Sequence, residues 1–166
     1  AVTTEFENVP ADSLNALSEY AVVSPAASSV AIAQDRILEQ EFLADNGFGV
    51  VPYAVIQDGR DSQNVKKILP RAHSGSLPAL FPGILKISRL GYDGKGQQWV
   101  NSQAELDDAL LAMNHEPCIL EQRVTLESEV SVIVARGLDG EVQTFQVSAN
   151  PNRGGMLLIK LKNVDD

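Results

Sequence analysis

Apolar and polar positions along this chain recur with a period that switches from segment to segment, and each switch predicts an element. Ala1 to Phe6 is a β-rich opening run, Pro10 to Leu17 reads as a short helix, and Val22-Val23-Ser24-Pro25 as a strand closing in a turn. From Ser28 or Ser29 to Asn46 the spacing is helical, with Val30, Ala33, Ile37, Leu38 and Phe42 on one broad apolar face and Gly47 as the stop. Val50 to Ile56 is a β-branched run closed by Asp58-Gly59. Ser62 to Leu69 reads as a short helix with Val65, Ile68 and Leu69 inward, ended by Pro70, and 71–82 as a loop. Gly83 to Ile87 is a strand running into a glycine-rich stretch, and a strand resumes from Gln98 to Val100.

Ser102-Gln103-Ala104-Glu105 has the spacing of a capping box, and Leu106, Ala109, Leu110 and Met113 continue it as a helix. Pro117 to Gln122 is a strand. Val130, Val132 and Val134 alternate along the next, which turns at Asp139-Gly140 into Val142–Ser148. Met156 to Val164 is again strand-like. Crossover helices mixed with antiparallel hairpins predict an α/β or α+β class with a mixed sheet. Because both ends lie in apolar runs rather than polar linkers, the expectation is a piece of a longer polypeptide. A small domain whose terminal strands pair into its sheet is the alternative.

Composition narrows the function classes. The chain has 166 residues, one domain or two small ones, and its 44% hydrophobic and 21% charged residues support a packed core. Thirteen Lys and Arg against 22 Asp and Glu leave a net charge of −9. Such a chain is repelled by nucleic acid and by anionic membrane surfaces, yet can hold a small anion where a few cations converge. No apolar run approaches the ~20 residues of a membrane span, and no basic-then-apolar secretion signal is present. The one cysteine, Cys118, excludes an internal disulfide and a cysteine-cluster zinc site, which suits a reduced, cytoplasmic setting. Cys118 reads as a small core residue, and His73 and His115 as ordinary surface histidines without ligand spacing.

Chemistry concentrates between Lys86 and Gln97. A lysine near a strand end precedes a loop carrying Gly91, Gly94 and Gly96, with Lys95 between the last two. Glycines let backbone N–H groups approach an anion, and the lysines supply charge that the rest of the chain lacks. It is not a Walker A loop, since Gly rather than Ser or Thr follows Lys95, and a glycine-rich surface hairpin would share the pattern. A second feature is Glu121-Gln122-Arg123-Val124, a strand end whose free backbone groups could meet a heterocycle edge, with Glu129 nearby as a hydroxyl or amine acceptor. On the pattern alone, a solvated turn at Glu127 and Glu129 is the stronger reading.

Taken in order, Thr4-Glu5-Phe6-Glu7-Asn8-Val9-Pro10, Ile32-Ala33-Gln34-Asp35-Arg36, Pro82-Gly83-Ile84-Leu85-Lys86, Gly91-Tyr92-Asp93-Gly94-Lys95-Gly96-Gln97, Cys118-Ile119-Leu120-Glu121 and Glu129 to Arg136 resemble one family. It is the ATP-grasp carboxyaminoimidazole ribonucleotide synthetase family of purine biosynthesis, and the likeness runs over nearly the whole chain. The resemblance implies an incomplete ATP-grasp fold. Residues 1–27 would be the end of the preceding nucleotide-like domain, and 28–166 the small ATP-grasp lobe plus the start of the large one. It implies a ligase in which ATP phosphorylates bicarbonate to carboxyphosphate and the amine of aminoimidazole ribonucleotide captures the carboxyl group.

By that resemblance Arg36 and Lys86 match ATP-contacting residues, and Gly91, Tyr92, Asp93, Gly94, Lys95, Gly96 and Gln97 the flexible phosphate-covering loop. Glu121, Gln122, Arg123 and Val124 match the adenine-contacting hinge, and Glu129 a carboxylate on the nucleotide. Tyr92, Asp93 and Lys95, with Glu5 or Glu7, match positions that reach the ribonucleotide; Asp93 is the candidate acceptor of the amine proton, and Asp93 and Lys95 are the catalytic candidates. Mg2+ would accompany ATP, its ligands falling downstream of this chain, and the full-length enzyme would be a homodimer. Two departures stand out. Ile87 and Ser88 follow Lys86 where the family commonly has Thr and Arg, and Asn152 stands where a nucleotide-contacting histidine is expected, leaving that contact open. The loss at 152 motivates a rival reading as a non-catalytic nucleotide-binding module; another ATP-grasp ligase is a third. Alone, the chain is expected to be inactive.

Overall fold

The computed structural model describes residues 1–6, 8–60, 66–68, 80–91, 95–125, 129–145 and 148–150. They fall into two compact units, Ala1–Arg123 and Val124–Asp166. In the first unit, α1 (Ala11–Ser18), α2 (Ala27–Ala33) and α3 (Arg36–Asp45) precede β1 (Tyr53–Ile56) and β2 (Lys66–Ile68). Next come β3 (Gly83–Ile87), β4 (Gln97–Val100), α4 (Gln103–Ala112) and β5 (Cys118–Gln122). The strands form one five-stranded sheet in the order β2-β1-β5-β3-β4. Every pairing in it is antiparallel, which places the unit at the α+β end of the expected class.

Strand alternation sorts this sheet into two faces. Ala54, Ile56, Leu85, Cys118, Leu120 and Val100 point to one, where Leu106, Ala109 and Leu110 of α4 cover them. Tyr53, Val55 and Ile119 point to the other and pack on Ile37 of α3. Burying a leucine such as Leu110 is worth about 2 kcal/mol, so the α4 face anchors the unit. Among the described residues, α3 covers the β1–β5 part of the second face, and Trp99 on the β3–β4 side stays 56% exposed. A smaller core of Leu14, Ala27 and Val30 joins α1 to α2.

Several expected elements take a different form. The helix expected from Ser28 or Ser29 to Asn46 is two helices, because Asp35 adopts an extended backbone and its carboxylate accepts from Ile37 N–H (2.9 Å) and Leu38 N–H (3.4 Å). An aspartate that caps cannot also sit in a helix interior. Asp35→Ala should therefore cost about 1 kcal/mol, read as a lower urea midpoint at unchanged slope. The Arg89 guanidinium 3.9 Å from Asp35 is half exposed and adds little to that figure.

Lys66–Ile68, expected inside a short helix, instead adds an edge strand to Tyr53–Val55. A short helix is marginal without tertiary support, whereas a sheet edge offers ready partners. The rest of that expected helix lies outside the described residues, as does the terminal run 156–164. The two strands expected near the start reduce to one parallel bridge, Val2 to Val23.

In the second unit the single expected strand through Val130, Val132 and Val134 divides into β6 (Glu129–Ser131) and β7 (Val134–Arg136). β7 pairs with β8 (Val142–Thr144) across the expected Asp139-Gly140 turn, where Gly140 takes φ 85°. β6 pairs with β9 (Ser148–Asn150). Among the described residues no helix is long and apolar enough to cross a membrane.

Candidate functional site

On the open face, register dictates the neighbours. Ile84 of β3 lies between Glu121 of β5 and Trp99 of β4, and Lys86 between Ile119 and Gln97. Residues paired across antiparallel strands share a face, so Glu121, Ile84, Trp99, Lys86 and Gln97 all project to this side. The Lys86 ammonium donates to Glu121 Oε2 at 2.5 Å, with side chains only 21% and 11% exposed. From α3, Gln40 donates to the other Glu121 oxygen at 3.5 Å, and its own buried Oε1 has no partner among the described residues. A half-buried cation thus stands at the root of the glycine loop, neutralised for now by a carboxylate.

The loop closes tightly on itself. Ile87 N–H donates to Gly96 O at 2.8 Å, extending the β3–β4 ladder past Lys86–Gln97. Gly96 takes φ 72°, and a Cβ there would stand 2.5 Å from Ile87 Cγ2. A Cβ on Gly91 would meet the same methyl at 3.2 Å, the Lys95 carbonyl at 3.2 Å and Arg36 Nη2 at 3.8 Å. Arg36 N–H donates to Ser88 O (2.9 Å), and Ser88 N–H to Pro117 O (2.9 Å). Ile87 thus fills the gap between two glycines, and buried Ser88 ties β3 to the start of α3.

Arg36, Ser88 and Gly91 line a cleft of about 230 Å³ with Asn8, Gln34 and Glu39. Of the sequence-predicted residues, Arg36 and Gly91 meet here, while Lys86, Glu121 and Gln97 share the sheet face behind it. Lys95 is exposed beside the loop base. Glu5 is exposed, and Asn8 brings its segment to the cleft. Glu7, Tyr92, Asp93, Gly94 and Asn152 lie outside the described residues, as does the Glu129 side chain, although Glu129 begins β6.

The hinge corrects one expectation. Gln122 N–H donates to Pro52 O and Arg123 N–H to Pro82 O, both at 2.9 Å, so neither is free for a heterocycle. Prolines donate nothing, but their carbonyls cap these strand ends. Val124 opens the second unit.

Sequence reasoning missed Asn8, Gln34, Glu39 and Gln40. Glu39 and Gln40 follow Arg36 at i+3 and i+4, a helical-neighbour signal that a correctly placed helix start would have exposed. Gln34 donates to Val9 O (2.6 Å) and accepts from Arg89 (3.1 Å), and nothing in its sequence context marks it.

Cys118 is fully buried, and burial, with Glu116 second, pushes its thiol from 9.0 up to about 12. The expectation of a core cysteine holds. Tyr53 rises from 10.0 to about 12, first by burial, then by Glu41 and Asp45. Both folded groups keep their protons where the unfolded chain loses them, so their stabilisation is whole below about pH 9 and is lost as pH climbs towards 12. Cys118 should resist a thiol-reactive dye in native protein at pH 8 and react at once in 6 M guanidinium, and Cys118→Ala should flatten the alkaline loss of stability.

His115 is half-buried: it sits at φ 59° just past α4, its carbonyl accepts from Gly59 N–H (3.2 Å), and its buried Nδ1 has no partner among the described residues. His73 lies outside the described residues.

Comparison with known proteins follows the same lines. A family model described as the ATP-grasp domain matches residues 41–165. The N5-carboxyaminoimidazole ribonucleotide synthase of Brucella melitensis is 40% identical over 158 residues, covering 94% of this chain and 41% of that protein. A crystal structure of an N5-carboxyaminoimidazole ribonucleotide synthetase in its ADP complex aligns with a TM-score of 0.74 at 32% identity, over 92% of this chain and 38% of that one. The enzyme from Thermus thermophilus aligns with a TM-score of 0.72 at 31% identity, over 93% and 38%. The chain thus spans about two-fifths of the length of the relatives it matches.

Proposed function

Because this chain belongs to the ATP-grasp family, we propose that it carries the nucleotide-gripping part of an ATP-dependent ligase that carboxylates aminoimidazole ribonucleotide with bicarbonate. The observation that carries the reading is the meeting of Arg36 and Gly91 in one cleft just past β3, the strand that bears the half-buried Lys86 near its end. A relative that aligns with a TM-score of 0.74 was solved as an ADP complex, which supports the reading.

On this reading Lys86 exchanges its Glu121 partner for phosphate oxygens of ATP, and Arg36 reaches the same phosphates from the start of α3. Backbone N–H groups of the glycine loop would meet the phosphates, as small residues permit, and Gly96 at its base takes φ 72°. A bicarbonate oxygen attacks the γ-phosphorus and ADP leaves, giving carboxyphosphate. Lys86 and Arg36 offset charge gathering on the phosphoryl oxygens. The exocyclic amine then attacks the carboxyl carbon, its proton passes to Asp93, and phosphate leaves. Tyr92, Lys95 and Glu5 or Glu7 hold the ribonucleotide, while Glu121 at the end of β5 takes the nucleoside end.

Under the same proposal residues 1–27 belong to a preceding domain and 28–166 to the ATP-grasp domain, working in the cytoplasm as a homodimer. Mg2+ would accompany ATP. Among the described residues no group of three His, Cys, Asp or Glu side chains fits a metal ion, so no step is drawn through it.

The test is ADP release by the intact protein with aminoimidazole ribonucleotide and bicarbonate. Release that needs both supports the reading. Release driven by another amine assigns a different ligase. ADP binding without turnover would make the protein a non-catalytic module.

A further inference from the structure

Trp99 is the chain's one tryptophan, and it is 56% exposed on β4. Exposure alone says little, but its position does not read as ordinary surface. The row Glu121–Ile84–Trp99 crosses three adjacent strands on the open face, about 10 Å wide at ~4.8 Å per strand. The next row, Ile119–Lys86–Gln97, lies two residues along, about 7 Å away. Lys86 and the glycine loop mark that second row as the phosphate end. A ribose-sized step in the other direction reaches Ile84 and Trp99, a flat apolar floor bounded by a carboxylate.

The indole is also held. The Arg123 guanidinium lies 5.1 Å from the ring centroid, a cation–π contact, and Arg123 is itself fixed through its N–H to Pro82 O. A guanidinium held against the ring favours orientations of the indole that keep this contact. Pre-ordering of this kind lowers the cost of stacking a planar ligand on the remaining surface.

Resting on the nucleotide reading above, we infer that Trp99, steadied by Arg123, is the stacking platform for the purine base of the bound nucleotide. It sets affinity for the base and leaves affinity for the phosphates to Lys86 and the loop. Base–aromatic stacking tolerates any base with a π-face, so Trp99 contributes binding strength, and the choice of purine falls to the polar groups around Glu121.

The experiment is calorimetric titration of the intact protein and its variants with ADP and, separately, with inorganic tripolyphosphate. Trp99→Ala should weaken ADP about tenfold while tripolyphosphate affinity stays within twofold. Trp99→Phe, which keeps an aromatic face and guards against a folding artefact, should stay within threefold for both ligands. ADP should also change the tryptophan emission of the parent protein, and tripolyphosphate should not. Equal ADP affinity in Trp99→Ala, with no change in emission, would overturn the role of Trp99 while leaving the nucleotide reading intact. Absence of any ADP binding by the parent protein would instead bring down the nucleotide reading, and this inference with it.

Discussion

Lys86→Ala is expected to lower kcat/KM for substrate-stimulated ADP release at least a hundredfold. The size follows from what the ammonium does: in a half-buried site it stabilises charge that grows on a phosphoryl group, and removal of one such preorganised donor typically costs 10²–10³ in rate. A structural effect accompanies the kinetic one. Glu121 would be left as a largely buried carboxylate with no cation, at a cost of about 2 kcal/mol against the 3–5 of a fully buried pair. Glu121→Gln separates the two effects. It removes the same ion pair but keeps the ammonium, so it should lose comparable stability and far less turnover. If both variants lost turnover equally, Lys86 would be a structural residue and the phosphate role would fall.

The second large effect is at Gly96. An alanine there carries two burdens: a φ of 72°, unfavourable for any L side chain, and a Cβ 2.5 Å from Ile87 Cγ2. The first costs roughly 1–2 kcal/mol and the second roughly 1–3, because Ile87 is β-branched and cannot turn aside. Gly96→Ala should therefore lose about 2–5 kcal/mol and several degrees of Tm, with turnover falling through a displaced loop. Adding Ile87→Ala removes the obstructing methyl, so the double variant should recover the packing part and retain the backbone part. A Gly96→Ala protein of parental Tm and activity would contradict the described loop base.

These two positions show which parts of the molecule the amino-acid pattern carries. Gly83–Ile87, Cys118–Gln122 and α4 were legible because alternation and capping are local: Ser102 Oγ does accept from Glu105 N–H, although Glu105 turns its own carboxylate to Asn101 rather than to Ser102. The lysine at the strand end and the glycines after it form a local pattern of the same kind. What escaped depends on partners distant in sequence. Asp35 looks like a helical residue until its carboxylate is seen capping, and Lys66–Ile68 is a strand only because β1 offers an edge. The hinge N–H groups of Gln122 and Arg123 look free until two proline carbonyls, far apart in sequence, arrive beside them. The Lys86–Glu121 pair needs a register that no single segment encodes.

The most direct measurement follows the bicarbonate oxygen. With [18O]bicarbonate, ATP and aminoimidazole ribonucleotide, the intact protein should release phosphate carrying one 18O per turnover, because the oxygen that attacks the γ-phosphorus stays with it when carboxyphosphate breaks down. Phosphate released without label, at an undiminished rate, would mean that water or another nucleophile takes the phosphoryl group, and the proposed ligase chemistry would be wrong.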